Sequence, residues 1–136
     1  MKLSEIAVNA AAIEAGRWVS VAHTLPGVKF KVRGLNNADY RRLQAKLIAE
    51  IPRADRIKGL DPEIQDKINL ALLIETVLTD WSGLENDDGS PLVWTKETSA
   101  HYLGNPNYSV LRAAVEWAAA VVGEDDLVEA EEAAKN

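Results

Sequence analysis

The sequence predicts an α+β fold dominated by helices: an N-terminal β-hairpin packed on a bundle of about four helices, with an acidic C-terminal tail. Three observations lead there. Residues 28–33 (VKFKVR) alternate strictly, with Val28, Phe30 and Val32 on one face and Lys29, Lys31 and Arg33 on the other. Four later segments repeat apolar residues at helical spacing. Residues 124–136 carry six acids against Lys135 alone. A chain of 136 residues that is 47% hydrophobic and 26% charged suits one core, so residues 1–123 are expected to form a single globular domain.

The first sixteen residues set Ile6, Val8 and Ile13 among alanines before Gly16, a pattern equally compatible with a short helical turn or an irregular arm. Arg17 to His23 (RWVSVAH) is rich in β-formers. Between this run and the alternating one lies Leu25-Pro26-Gly27, where proline presets φ and glycine accepts the positive φ of a type II turn. A hairpin over 17–33 follows. Alone it is marginal in water, so its apolar face must pack on the helices.

Asn36 or Asn37 is a fitting N-cap for a helix over 37–51, whose Tyr40, Leu43, Leu47, Ile48 and Ile51 recur until Pro52. After a polar link, Asp61, Pro62 and Glu63 start a helix read as 61–82 and ending near Gly83. Its apolar residues cover much of the circumference from Leu70 to Leu78, which makes it the central core helix. Residues 84–94 (LENDDGSPLVW) read as a loop flanked by Trp81 and Trp94. Thr95 caps a short helix over 95–103, and Gly104-Asn105-Pro106 breaks it. The last helix, 107–122, carries a stripe of Val110, Leu111, Ala114, Val115, Ala118, Val121 and Val122. The tail beyond, 124–136, has little to bury and is expected to be frayed on its own.

Composition narrows the chemistry. With no cysteine there is no disulfide, thiol nucleophile or thiolate zinc site, and His23 and His101 are too few for a histidine cage. Asn86-Asp87-Asp88-Gly89 invites a calcium-loop reading, but placing Gly89 sixth puts Leu84 first and Thr95 twelfth, where acids are needed. No metal, cofactor or catalytic residue is therefore expected, and the chain reads as a binding protein. No run approaches the roughly 18 apolar residues of a membrane span, and the N-terminus lacks a signal-peptide pattern, so a cytoplasmic protein is expected.

Charge is unevenly spread. From Lys29 to Lys58 nine Lys or Arg face three acids. Such a surface could neutralise phosphates, but Tyr40 is its one outward aromatic after the inward Phe30, so no base-stacking platform is evident and nucleic acid is disfavoured. A solvated face, or one that docks an acidic protein segment, fits better. Arg41 and Arg42 represent that basic face among the expected partner contacts. Leu84 and Trp94, apolar residues on a polar loop, represent a hydrophobic patch.

Three blocks carry a family likeness: Gly16-Arg17-Trp18-Val19 with the stretch Val32 to Tyr40 (VRGLNNADY); Val77 to Leu84 (VLTDWSGL) followed by Asp88 to Leu92 (DGSPL); and Lys135-Asn136. In order and spacing the chain resembles the tail assembly chaperones of long-tailed bacteriophages and prophages. The resemblance implies a protein that binds the long, helix-prone tape measure protein, keeps it soluble and promotes assembly of the tail tube around it. It also implies a homo-oligomer working in the host cytoplasm, absent from the mature virion, and in many members a frameshifted longer form that engages tail tube protein. Ala134-Lys135-Asn136 permits the codons GCA AAA AAC, which contain a slippery A AAA AAC run. The alternative is a structural tail or head-tail connector protein that stays in the particle; further off is a nucleic-acid-binding phage regulator.

Overall fold

The structure is a computed structural model in which residues 1–124 are described. The chain folds as an α+β protein in which helices predominate. Two short helices, α1 (Leu3–Ile6) and α2 (Ala10–Ala15), precede strands β1 (Arg17–Ser20) and β2 (Lys29–Val32). Helices α3 (Ala38–Ala49), α4 (Arg53–Ile57) and α5 (Pro62–Leu72) lead through a π turn, Leu73–Val77, into strand β3 (Leu78–Ser82). Helix α6 (Lys96–Leu103), a 3-10 turn (Pro106–Tyr108) and α7 (Ser109–Val121) complete the described chain. The acidic tail expected over 124–136 lies, apart from Glu124, outside the described residues.

The hairpin forms as the alternation requires. Arg17 pairs with Val32 and Val19 with Phe30 in antiparallel register. Leu25 accepts from the Val28 amide at 3.1 Å across Pro26 and Gly27, and Gly27 holds φ +80°, the type II geometry. Val19, Val21, Val28, Phe30 and Val32 are buried, and they share one core with Val77, Leu103, Val115 and Ala118. Burying each large side chain contributes about 1.5–3 kcal/mol, enough in sum to hold a hairpin that is marginal alone.

The segment read as one helix over 61–82 is the main correction. The helix ends at Leu72, passes through the π turn, and becomes a strand at Leu78 with no intervening loop. β3 adds to the open side of β2, pairing Phe30 with Trp81 and Lys31 with Asp80, so the hairpin is part of a three-stranded sheet in the order β1-β2-β3. Val77, Leu78 and Trp81 are spaced as on a helix face; a register shift at Lys31/Val32 lets Leu78 and Trp81 both be buried from a strand, and the unpaired edge of β2 decides for the strand. Thr76 eases the exit from the helix, because its hydroxyl donates to the Leu72 carbonyl at 2.7 Å. Two smaller corrections follow. The polar link after Pro52 contains helix α4. Val110, placed in the apolar stripe of the last helix, points outward and is 56% exposed.

Asn37 joins these parts. Fully buried, it caps α3 by accepting from the Tyr40 amide at 2.8 Å, while its amide nitrogen donates to the carbonyls of Gly34 at 3.0 Å and Thr76 at 2.8 Å. One side chain thereby ties the end of β2, the start of α3 and the π turn together. Losing the cap and stranding two buried carbonyls places Asn37→Ala about 2–4 kcal/mol below wild type in stability, measured by urea unfolding. Asn37→Asp keeps the cap acceptor but sets a carboxylate against two carbonyls; a midpoint equal to wild type would show that the two donated bonds contribute nothing.

Candidate protein-docking surfaces

Among the described residues, an apolar groove, an apolar arm and a basic face stand out as candidate surfaces. The first feature is a groove of about 380 Å³ between the hairpin tip, the 84–92 loop and the junction of α6 with α7. Leu25, Leu84, Leu92, Tyr102 and Leu111 make it apolar, and Glu85 and Asp87 place acids among its lining residues.

Local chemistry builds this groove. Leu92 donates its amide to the Leu84 carbonyl at 2.9 Å, and Glu85 bridges to Pro91, which closes the loop into a narrow antiparallel turn. At the tip, the Asp88 carboxylate accepts from the Ser90 amide (2.9 Å) and hydroxyl (2.6 Å). Those bonds, the hydroxyl first and the amide second, hold the Asp88 carboxyl below its ordinary pKa. The Asn86-to-Gly89 run therefore works as a self-bonded turn, and no cluster of three or more His, Cys, Asp or Glu able to hold a metal occurs among the described residues. The loop is pinned to the sheet by Trp81, whose indole N–H donates to the Leu92 carbonyl at 2.7 Å. Gly83 holds the other end: with φ +89° it lies so close to the hairpin tip that a β-carbon would fall 2.1 Å from the Gly27 carbonyl. Opposite, Tyr102 and Tyr108 meet edge to face at 4.9 Å, and His101 stands edge-on to Tyr102.

Of the expected contact residues, Leu84 lines this groove, half-buried against the core. Trp94 does not line it; that ring also packs on the core, and its indole N–H meets no acceptor among the described residues. The large apolar side chain of this stretch that stands exposed is Val93, at 72%, which sequence reasoning passed over. The groove joins residues far apart in sequence, from Leu25 to Leu111, and no linear pattern announced it.

The second apolar feature is the N-terminal arm. Met1, Leu3, Ile6 and Val8 are all large, apolar and at least 59% exposed. The arm is tethered where the Asn9 amide donates to the Gly123 carbonyl at 3.0 Å, beside a hollow of about 240 Å³ lined in part by Val8, Ile13, Leu35 and Ala119.

The basic feature runs along α3 and α4. Arg41 and Arg42 are exposed, but both are engaged: Arg41 donates to the Asn36 carbonyl at 2.8 Å and Arg42 pairs with Asp39. Arg33, half-buried, bonds Asp39 at 2.7 Å and reaches Glu14, whose carboxylate accepts the Ala38 amide at the start of α3. The Arg33 hydrogen bond is the main reason the Asp39 carboxyl sits below its ordinary pKa, with the charges of Arg33 and Arg42 adding to it. Neither Arg41 nor Arg42 lines the groove that contains Leu84. No helix among the described residues is long and apolar enough to cross a membrane.

Comparison with known proteins places the chain further. A family model described as YdaY prophage protein matches residues 35–136. No curated protein and no solved structure matches.

Trp81→Phe keeps an aromatic ring but removes the donor to the Leu92 carbonyl. It should cost about 1–3 kcal/mol of stability and hasten hydrogen exchange at the Leu92 amide more than in the hairpin. Exchange that rises equally in both places would mean that the indole does not specifically hold the loop. Asp39, with its folded pKa lowered, contributes stability that is complete above the ordinary value of 3.8 and is lost as pH falls through the folded value. Urea midpoints at about pH 6 and pH 3 should therefore differ less in Asp39→Asn than in wild type.

Proposed function

Because the chain belongs to the YdaY prophage protein family, we propose that it is a prophage-encoded assembly chaperone that binds the tape measure protein, keeps it soluble and promotes formation of the tail tube. Two things support the reading: the prophage family, which gives the setting, and the resemblance of three sequence blocks to tail assembly chaperones. The structural observation that carries it is the N-terminal arm. Four large apolar side chains stand in water on a segment whose helix α1 contains no buried residue. Apolar surface of that kind is favourably covered, at about 25 cal/mol per Å². A long, helix-rich client presents many apolar stripes, and a coat of such arms shields them reversibly until the tube subunits arrive.

On this reading the protein works in the host cytoplasm as an oligomer, leaves before the virion matures, and in a frameshifted form reaches the tail tube protein. No metal, cofactor or bond-making step enters the mechanism, which consists of association and release.

Co-expression with the long helix-rich product of the same prophage tests this. The wild-type chain should raise that product's soluble fraction. Leu3→Ser with Ile6→Ser, both at exposed positions, should lose much of that gain while leaving the thermal midpoint within about 4 °C, as for surface substitutions. A client equally soluble with and without the chain overturns the proposal. Finding the protein at stoichiometric levels in purified particles would instead favour a structural connector.

A further inference from the structure

Helix α4 carries an apolar side chain in a cationic setting. Ile57 is 74% exposed, Arg56 and Lys58 flank it in sequence, and Arg53 lies one helical turn before it on the same face. Asp55 is the one acid of that helix, two positions from Ile57 and off its face. The helix is anchored by chain continuity and by Pro52, and it packs extensively against no other element.

The groove described above has the inverse character. Its apolar lining is joined by Glu85 and Asp87, with no Lys or Arg among the lining residues. Tyr108 and Val110, 42% and 56% exposed, contribute apolar surface to it. Among the described residues, none of Arg53, Arg56, Lys58, Glu85 and Asp87 takes part in an ion pair. A protruding isoleucine among cations and an apolar hollow among acids therefore stand on the same molecule, on elements that share no residue.

We propose that the protein associates head to tail with copies of itself, Ile57 of one copy seated in the groove of the next, with Arg53, Arg56 and Lys58 facing Glu85 and Asp87. Charge selects this arrangement. Two α4 faces brought together would set cations against cations, and two grooves would set acids against acids, so a two-fold contact using either surface twice is disfavoured. A single contact between unlike surfaces leaves the groove of one copy and the knob of the other unused, so it propagates into a ring or an open chain. The contact is small, so association is weak and reversible, and its charged rim makes it sensitive to salt. This inference deepens the oligomer of the proposed function by naming its two surfaces, and it is tested without a client, so its failure and a failure of client binding are read separately.

Complementary variants of the full chain provide the test, by sedimentation velocity over a concentration series reaching the millimolar range. Wild type should grow beyond a dimer with concentration, and do so less in about 0.5 M salt than in about 0.05 M. Ile57→Asp, which removes the knob, and Val110→Glu, which spoils the groove, should each stay monomeric. Both positions are exposed, and unchanged circular dichroism and thermal midpoints would show that the fold is intact. Mixed together, the two variants retain one good knob and one good groove between them, so they should form a 1:1 pair that grows no further. Arg56→Glu and Asp87→Lys should each weaken assembly and in combination restore part of it. A wild type monomeric throughout, association that survives Ile57→Asp or Val110→Glu, or a mixture that fails to pair overturns the proposal.

Discussion

A single buried amide group sets the relation between the sheet and the helices. Asn37 has no exposed surface, and its three hydrogen bonds reach the start of α3, the Gly34 carbonyl after β2 and the Thr76 carbonyl in the π turn. A buried polar side chain is costly unless satisfied, and these bonds have partners only when all three segments sit in their native places. The same junction is held by backbone pairing, since the Arg33 amide donates to the Val77 carbonyl and the Gly34 amide to the Ile13 carbonyl. Strand β2 is thereby fixed between its hairpin partner and the chain that becomes β3.

From that junction outward, order passes through the sheet to the surface. The π turn delivers Val77 and Leu78 into the core and aligns Trp81 opposite Phe30. Trp81 then carries the constraint across to the 84–92 loop through its bond to the Leu92 carbonyl, and Gly83 presses the loop's base onto the hairpin tip. The groove is therefore held in shape by the core behind it, which suits a surface meant to receive a side chain without rearranging. The N-terminal arm is the opposite case: α1 has no buried residue, so its apolar side chains remain available to an adaptable contact.

On the proposed reading, these two surfaces would divide the work of assembly. Weak head-to-tail contacts through α4 and the groove would repeat the arm at intervals, and repeated weak contacts hold a long client more firmly than one arm can. Because every contact would be modest, a coat of this kind would also be easy to remove. The ion-paired cluster of Arg33, Glu14, Asp39 and Arg42 belongs to neither surface; it caps and braces α3.

Local rules were enough for much of this molecule. The strict alternation of residues 28–33, the Pro-Gly turn, the Thr95 cap and the Pro62 helix start each depend on neighbours a few residues away, and each forms where the sequence alone puts it; of the two caps open to α3, Asn36 and Asn37, the structure takes Asn37. Leu84, read as an apolar residue on a polar loop, lines the groove half-buried. The strand at Leu78–Ser82, the enclosure of Trp94 and the outward turn of Val110 were not. Apolar periodicity in a short run is ambiguous, and what settles it is a hydrogen-bonding edge or a packing surface contributed by residues tens of positions away. By itself the sequence determined the fold class, the hairpin and its turn, and the Asp61 and Thr95 caps, while the last helix begins at Ser109 and takes no cap from Asn107. Only the tertiary structure decided which run completed the sheet and where a groove opened, because both depend on surfaces that exist only once distant segments have met.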